Sequence, residues 1–159
     1  MMEGQIENIR QPFSIDVATG DPITPDAIEY PYCSVFEDEK TVKVMSYNLE
    51  TIIAEKLETV VSRKTDNSRS KDFYDLYLLF NLKSDNLDKN KLRGAVNTTF
   101  AYRNTELDAN SILSDLNDIQ SNAGFRKRWE LYCKRNAYVG ELSFDQMIES
   151  LKGYISIYL

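Results

Sequence analysis

The sequence predicts an α+β protein, with a small β portion over residues 1–47 and a helical region over 48–159. Three observations lead there. Apolar and polar residues alternate with period two near the start, apolar positions recur every three to four residues after Asn48, and a stretch rich in proline and glycine separates the first strand from the rest of the chain. A chain of 159 residues with 42% hydrophobic and 28% charged residues suits one ordinary domain with its own core.

The first strand is expected over about 11–18, with Phe13, Ile15 and Val17 on one face and Ser14 and Asp16 on the other. Residues 19–31 carry three prolines and a glycine and read as a loop. A hairpin is expected over 31–38 and 40–47, its turn at the acidic Asp38 and Glu39. One strand and a hairpin leave a long sheet edge uncovered, so the β portion looks incomplete. Asn48 can cap a helix over about 49–63, and Ser70 another over about 71–82. Further helices are expected near 88–103, 109–121, 124–137 and 143–156.

Composition excludes several chemistries. The chain has no histidine and only Cys33 and Cys133, so ordinary zinc sites, Ser-His-Asp triads and Cys-His nucleophiles are ruled out. A net charge of −6 does not draw nucleic acid by itself, so any such contact needs a local basic patch. The polar start is no signal peptide and no apolar run spans a bilayer; the expectation is a cytoplasmic protein with reduced thiols.

On the first helix Leu49, Ile52, Ile53, Leu57 and Val60 share an apolar face, and Lys56 points into it. An ammonium there needs an anion, either a nearby carboxylate or a bound phosphate. Glu55 falls on the other side and reads as solvated. On the second helix Phe73, Leu76, Tyr77 and Phe80 make the core stripe. Asp72 lies inside the apolar arc, either as a first-turn acid favouring the helix dipole or as a functional carboxylate. Asp75 is a candidate partner for Arg63, Arg69 or Lys56. Asp16 is either a solvent-facing strand residue or a magnesium ligand. Arg63, Lys64, Arg69 and Lys71 flank the loop between the helices, either solvated or holding a triphosphate or RNA backbone. In FRKRWELYCKR (125–135) basic residues interleave with aromatics. That pattern can bind single-stranded nucleic acid, but Phe125, Trp129 and Tyr132 at helical spacing read more simply as core.

The string LETIIAEKLETVVSRKTDNSRSKDFYDLYLLF (49–80) resembles the C-terminal signature of AbiEii/AbiGii abortive-infection nucleotidyltransferase toxins: an AEKL helix, a basic loop and a (K/R)DxYDL helix. FSIDVATGDPITP (13–25) resembles the family strand that adds an acidic position. The resemblance implies a DNA polymerase β-like sheet followed by a helical bundle, and transfer of a nucleotide from a nucleoside triphosphate to an acceptor such as tRNA. It implies Mg2+ as cofactor, a winged-helix antitoxin as partner, Lys56 on the nucleotide phosphates, Asp72 as the second catalytic position, and Asp16 as a metal ligand or base; Arg63 and Arg69, by their place at the loop, are the further candidates for the nucleotide. The family's first motif, a Gly-Ser turn before an Asp-x-Asp strand, has no match here, and the sequence contains no Gly-Ser dipeptide. The expectation is therefore a truncated or split toxin, inactive alone. The competing expectations are a non-catalytic helical module that binds an antitoxin or other protein, and an RNA-binding domain using 125–135.

Overall fold

The computed structural model describes residues 2–15, 17, 19–34, 40–64 and 69–159. Among them, two separate two-stranded antiparallel sheets precede six α-helices, which is the α+β class expected. β1 (Met2–Ile6) pairs with β2 (Ile9–Phe13) across a turn in which Glu7 has a φ of 53°. A positive φ at the first central residue suits a tight hairpin turn. The strand expected over 11–18 ends at Phe13, opposite Met2. Beyond that pair no described backbone lies alongside to take its hydrogen bonds, and Ile15 and Val17 are exposed rather than packed. Asp16 lies outside the described residues.

β3 (Ile28–Cys33) pairs with β4 (Thr41–Ser46), Ile28 opposite Ser46. The strand starts three residues before Pro31, inside the stretch expected to be loop. Both strands are edges, where a proline sacrifices no shared ladder bond. The expected turn at Asp38 and Glu39 lies outside the described residues. One face of this hairpin is apolar: Ile28, Tyr30, Tyr32, Val42 and Val44 all point the same way by register, yet Tyr30 and Tyr32 are 50% and 54% exposed. The other face carries the Glu29–Lys43 pair.

The loop before β3 is fastened to the helices. The Thr24 N–H donates to Thr51 Oγ1 (3.0 Å), the Thr51 hydroxyl donates back to the Thr24 carbonyl (2.9 Å), and Asn48 Nδ2 donates to the Asp26 carbonyl (2.9 Å). Asn48 also caps α1 (Leu49–Arg63) as expected, accepting from the Thr51 N–H at 2.7 Å. α2 (Ser70–Lys83) begins one residue earlier than expected. Its N-cap is Arg69, and Ser70 is the first helical residue instead of the cap. α3 (Lys89–Tyr102), α4 (Ala109–Ser121), α5 (Ala123–Arg135) and α6 (Phe144–Tyr158) fall within two residues of expectation, each with a capping side chain from Asp88, Asp108, Asn122 or Ser143.

α1 packs on α3 and α2, and α6 closes the bundle against α2 and α4. Ile53, Leu57 and Val60 from α1, with Phe73, Leu76 and Phe80 from α2, are buried in one core with Leu92, Ile112 and Met147. Phe125 and Trp129 are core residues, with Phe125 edge-on to Phe73 at 5.9 Å, and Tyr132 packs partly buried against them.

Candidate functional site

α1 and α2 are consecutive and packed together, so residues facing each other across them meet without any long-range pairing. Lys56 emerges from the apolar side of α1 with its side chain 25% exposed, and α2 presents Asp72 and Asp75 to it. The Lys56 ammonium donates to Asp75 Oδ2 at 2.7 Å and lies 3.5 Å from Asp72 Oδ1. Lys71, one turn before Asp75, also donates to Asp75 Oδ2, at 2.6 Å. Asp75 is therefore the structural counter-ion. Burial opposes its ionisation, but the hydrogen bonds from Lys56 and Lys71 outweigh that and hold its pKa below the usual carboxylate range. The same bond from Asp75 raises the Lys71 pKa.

Asp72 differs from Asp75. It is nine-tenths buried, and its Oδ2 is sealed from solvent with no hydrogen-bond partner. A buried carboxylate oxygen without a donor costs free energy that the fold alone does not recover. Asp72 also lines a cleft of about 520 Å³ between the first turn of α2 and the end of α5, together with Arg69, Lys71, Arg128, Leu131, Tyr132 and Arg135. Lys56 does not line it; it stands behind Asp72, on the α1 side.

The structure thus brings Lys56, Asp72 and Asp75 together and places Arg69 on the same cleft as Asp72. Arg63 is exposed in the last turn of α1, two turns from Lys56 or roughly 10 Å along the axis, where its charge meets the carbonyl end of the helix. Lys64 leaves the group and pairs with Asp115 at 3.3 Å.

Glu55 is not solvated as its place on the helical wheel suggests. It is half-buried, its Oε1 is sealed without a partner, and burial pushes its pKa up despite the opposing pull of Arg103. Next to it lies a cluster that periodicity did not single out. Glu58 is 4% exposed and accepts from Arg103 Nη1 at 2.8 Å and from the Thr105 hydroxyl at 2.6 Å; Arg103 Nη2 also reaches Asp21 at 3.3 Å. A signal was present. Ala54 and Val61, both buried, widen the apolar arc of α1 toward Glu58.

No group of three or more acidic, cysteine or histidine side chains among the described residues could hold a metal ion. Asp72 Oδ1 already lies 3.5 Å from the Lys56 ammonium, whose charge disfavours a second cation on the same carboxylate. The described residues therefore do not make a magnesium site.

The sequence matches the family described as nucleotidyl transferase AbiEii toxin, type IV toxin–antitoxin system, over residues 1–150. The chain belongs to this family. No curated protein and no solved structure matches it. The family match covers the β hairpins as well as the helices, and the AEKL and KDFYDLY helices are the two that face each other through Lys56 and Asp72. Membership in a toxin–antitoxin family implies an antitoxin partner. None of the helices is long and apolar enough to cross a membrane among the described residues.

Proposed function

We propose that the chain serves nucleotidyl transfer, moving a nucleotide from a nucleoside triphosphate to an RNA acceptor such as tRNA, as the toxin of a phage-defence toxin–antitoxin pair whose antitoxin is of winged-helix type. The observation that carries this reading is the meeting of Lys56 with Asp72, whose second carboxylate oxygen is buried and unpartnered.

The ammonium of Lys56 has three donors. One is engaged by Asp75 and one approaches Asp72, which leaves one for a phosphate oxygen. Asp75 fixes the ammonium in place, and Lys71 keeps that corner from becoming a net negative charge against the triphosphate. Asp72 turns its carboxylate to take the proton of an acceptor hydroxyl. As that oxygen bonds to the α-phosphorus, the bond to the pyrophosphate oxygen breaks and the proton passes to the carboxylate. Arg63 and Arg69 are proposed as further phosphate contacts, and Asp16 as an additional carboxylate. Magnesium would arrive with the triphosphate as its counter-ion, since that metal is held as much by substrate phosphates as by protein.

The test is transfer of label from an α-labelled nucleoside triphosphate to tRNA, with magnesium present. Lys56→Ala and Asp72→Ala should each abolish transfer while leaving the helical content intact. Failure of the unaltered chain both to label and to bind triphosphate rejects the reading.

A second reading, a module that docks on a partner protein, is favoured by the uncovered apolar face of the β3–β4 hairpin. It expects a complex with the antitoxin that survives Lys56→Ala and Asp72→Ala but is lost when Tyr32 and Val42 are replaced by serine.

A further inference from the structure

The cleft between α2 and α5 has a charge opposite to that of the molecule. The chain carries −6 overall, yet among the described residues Arg69, Lys71, Arg128 and Arg135 line this one concavity against a single carboxylate, Asp72. Concentrating cations in a concave wall focuses their field on whatever enters. Two of the four come from the basic run 125–135, and the fold sorts that run into three groups. Arg126 turns away to a bidentate pair with Asp145, at 2.8 Å for each nitrogen. Lys127 and Lys134 lie outside the cleft. Arg128 and Arg135, seven residues and about two turns apart, fall on the same side of α5 and face the cleft. The Arg128 guanidinium is held 4.2 Å from the centre of the Phe125 ring. Leu131, 45% exposed, and Tyr132 sit between the two arginines along the helix and supply an apolar floor. The first turn of α2, which has no side-chain cap, forms the opposite wall.

A phosphate alone does not explain one feature of this cleft. The Asp72 side chain belongs to the wall, and its carboxylate carries one oxygen, Oδ2, that is sealed from solvent without a donor. A ligand that fits brings negative charge for the arginines and a hydroxyl for Asp72. An RNA backbone carries both, and the 2′-hydroxyl distinguishes it from DNA. At about 520 Å³ the cleft is the size of a small-ligand pocket, which suits one flexible strand rather than a duplex.

We propose that the α2/α5 cleft binds the sugar–phosphate backbone of a single RNA strand. Arg128 and Arg135 hold phosphates, Leu131 and Tyr132 take a base face, and the Asp72 carboxylate, turned toward the cleft, accepts from a ribose hydroxyl. This assignment rests on the transfer reading in that it places the acceptor strand beside Asp72. Its test needs neither nucleotide nor metal, so the two can fail separately.

The experiment is fluorescence anisotropy of a labelled single-stranded oligouridylate titrated with the full chain over a range of salt. The same titration is run with the DNA analogue, with a duplex and with ATP as competitor. Arg128→Gln with Arg135→Gln should weaken RNA binding on the order of tenfold. The same pair should make the salt slope shallower by about 1.4, two phosphate contacts' worth for a single strand. Lys127→Gln with Lys134→Gln removes equal charge from the same helix outside the cleft and should leave both quantities unchanged. Asp72→Ala should erase the preference for RNA over DNA. Equal weakening by the two pairs overturns the proposal, since binding would then follow net charge alone. Displacement of RNA by ATP that depends on Arg128 and Arg135 also overturns it, in favour of a triphosphate pocket. If the double variant fails to unfold cooperatively, Arg135→Gln alone, at an exposed position, decides between the same two outcomes. Loss of transfer activity with RNA binding intact would sink the transfer reading and leave this one standing.

Discussion

Arg103 ties the helix that bears Lys56 to α3, and replacing it isolates a buried charge. In Arg103→Met the Glu58 carboxylate, 4% exposed, keeps only the Thr105 hydroxyl, and Asp21 loses its link from the loop to the bundle. Removing one partner of a buried ion pair costs about 3–5 kcal/mol. The Arg103 side chain is 28% exposed, so water reaches one side of the pair, and the lower end of that range, ~3 kcal/mol, applies. For a chain of this size that corresponds to a fall in Tm of roughly 6–12 °C. Glu58→Gln removes the charge but keeps an acceptor for Thr105, so the double variant should recover more than 1 kcal/mol relative to additivity, on the order expected for groups in direct contact. Urea unfolding followed by circular dichroism on the four proteins of the cycle measures this. A loss below about 1 kcal/mol for Arg103→Met, the level of an exposed pair, would refute the argument, as would simple additivity.

The same physics sets three further outcomes. The Asp75 pKa is depressed, so its contribution is complete above the ordinary value of 3.8 and is lost as pH falls through the depressed one; Asp75→Asn should flatten the acid limb of stability against pH, and an unchanged limb counts against the pairing. Glu55 has the opposite sign: its raised pKa gives a contribution complete below 4.5 and lost as pH rises through the folded value, so Glu55→Gln should raise Tm at neutral pH and leave it little changed in acid. Asn48→Ala removes both the α1 cap and the donor to the Asp26 carbonyl, and should cost about 1–2 kcal/mol in thermal or urea unfolding.

The helices were legible because their signals are local. Apolar spacing and Asn48 ahead of α1 placed most boundaries within two residues. The pair Lys56 and Asp72 was legible for a related reason: both interrupt apolar faces of consecutive helices, and short connections make such helices neighbours. Strand limits were not legible, because a strand lasts only as long as the backbone beside it. Ile15 and Val17 alternate correctly yet have no described partner strand.

What the sequence determined by itself is the helical framework, the absence of histidine chemistry and the family to which the chain belongs. Tertiary structure alone decided the partners of each charge. Asp75 rather than Asp72 neutralises Lys56 most closely, Glu58 and Arg103 meet 45 residues apart, and of five cations in one run two reach the α2/α5 cleft. The physical reason is range. Helical period and capping act within about one turn, whereas a side-chain ion pair depends on the rotation and approach of two helices, which the packing of the whole core sets.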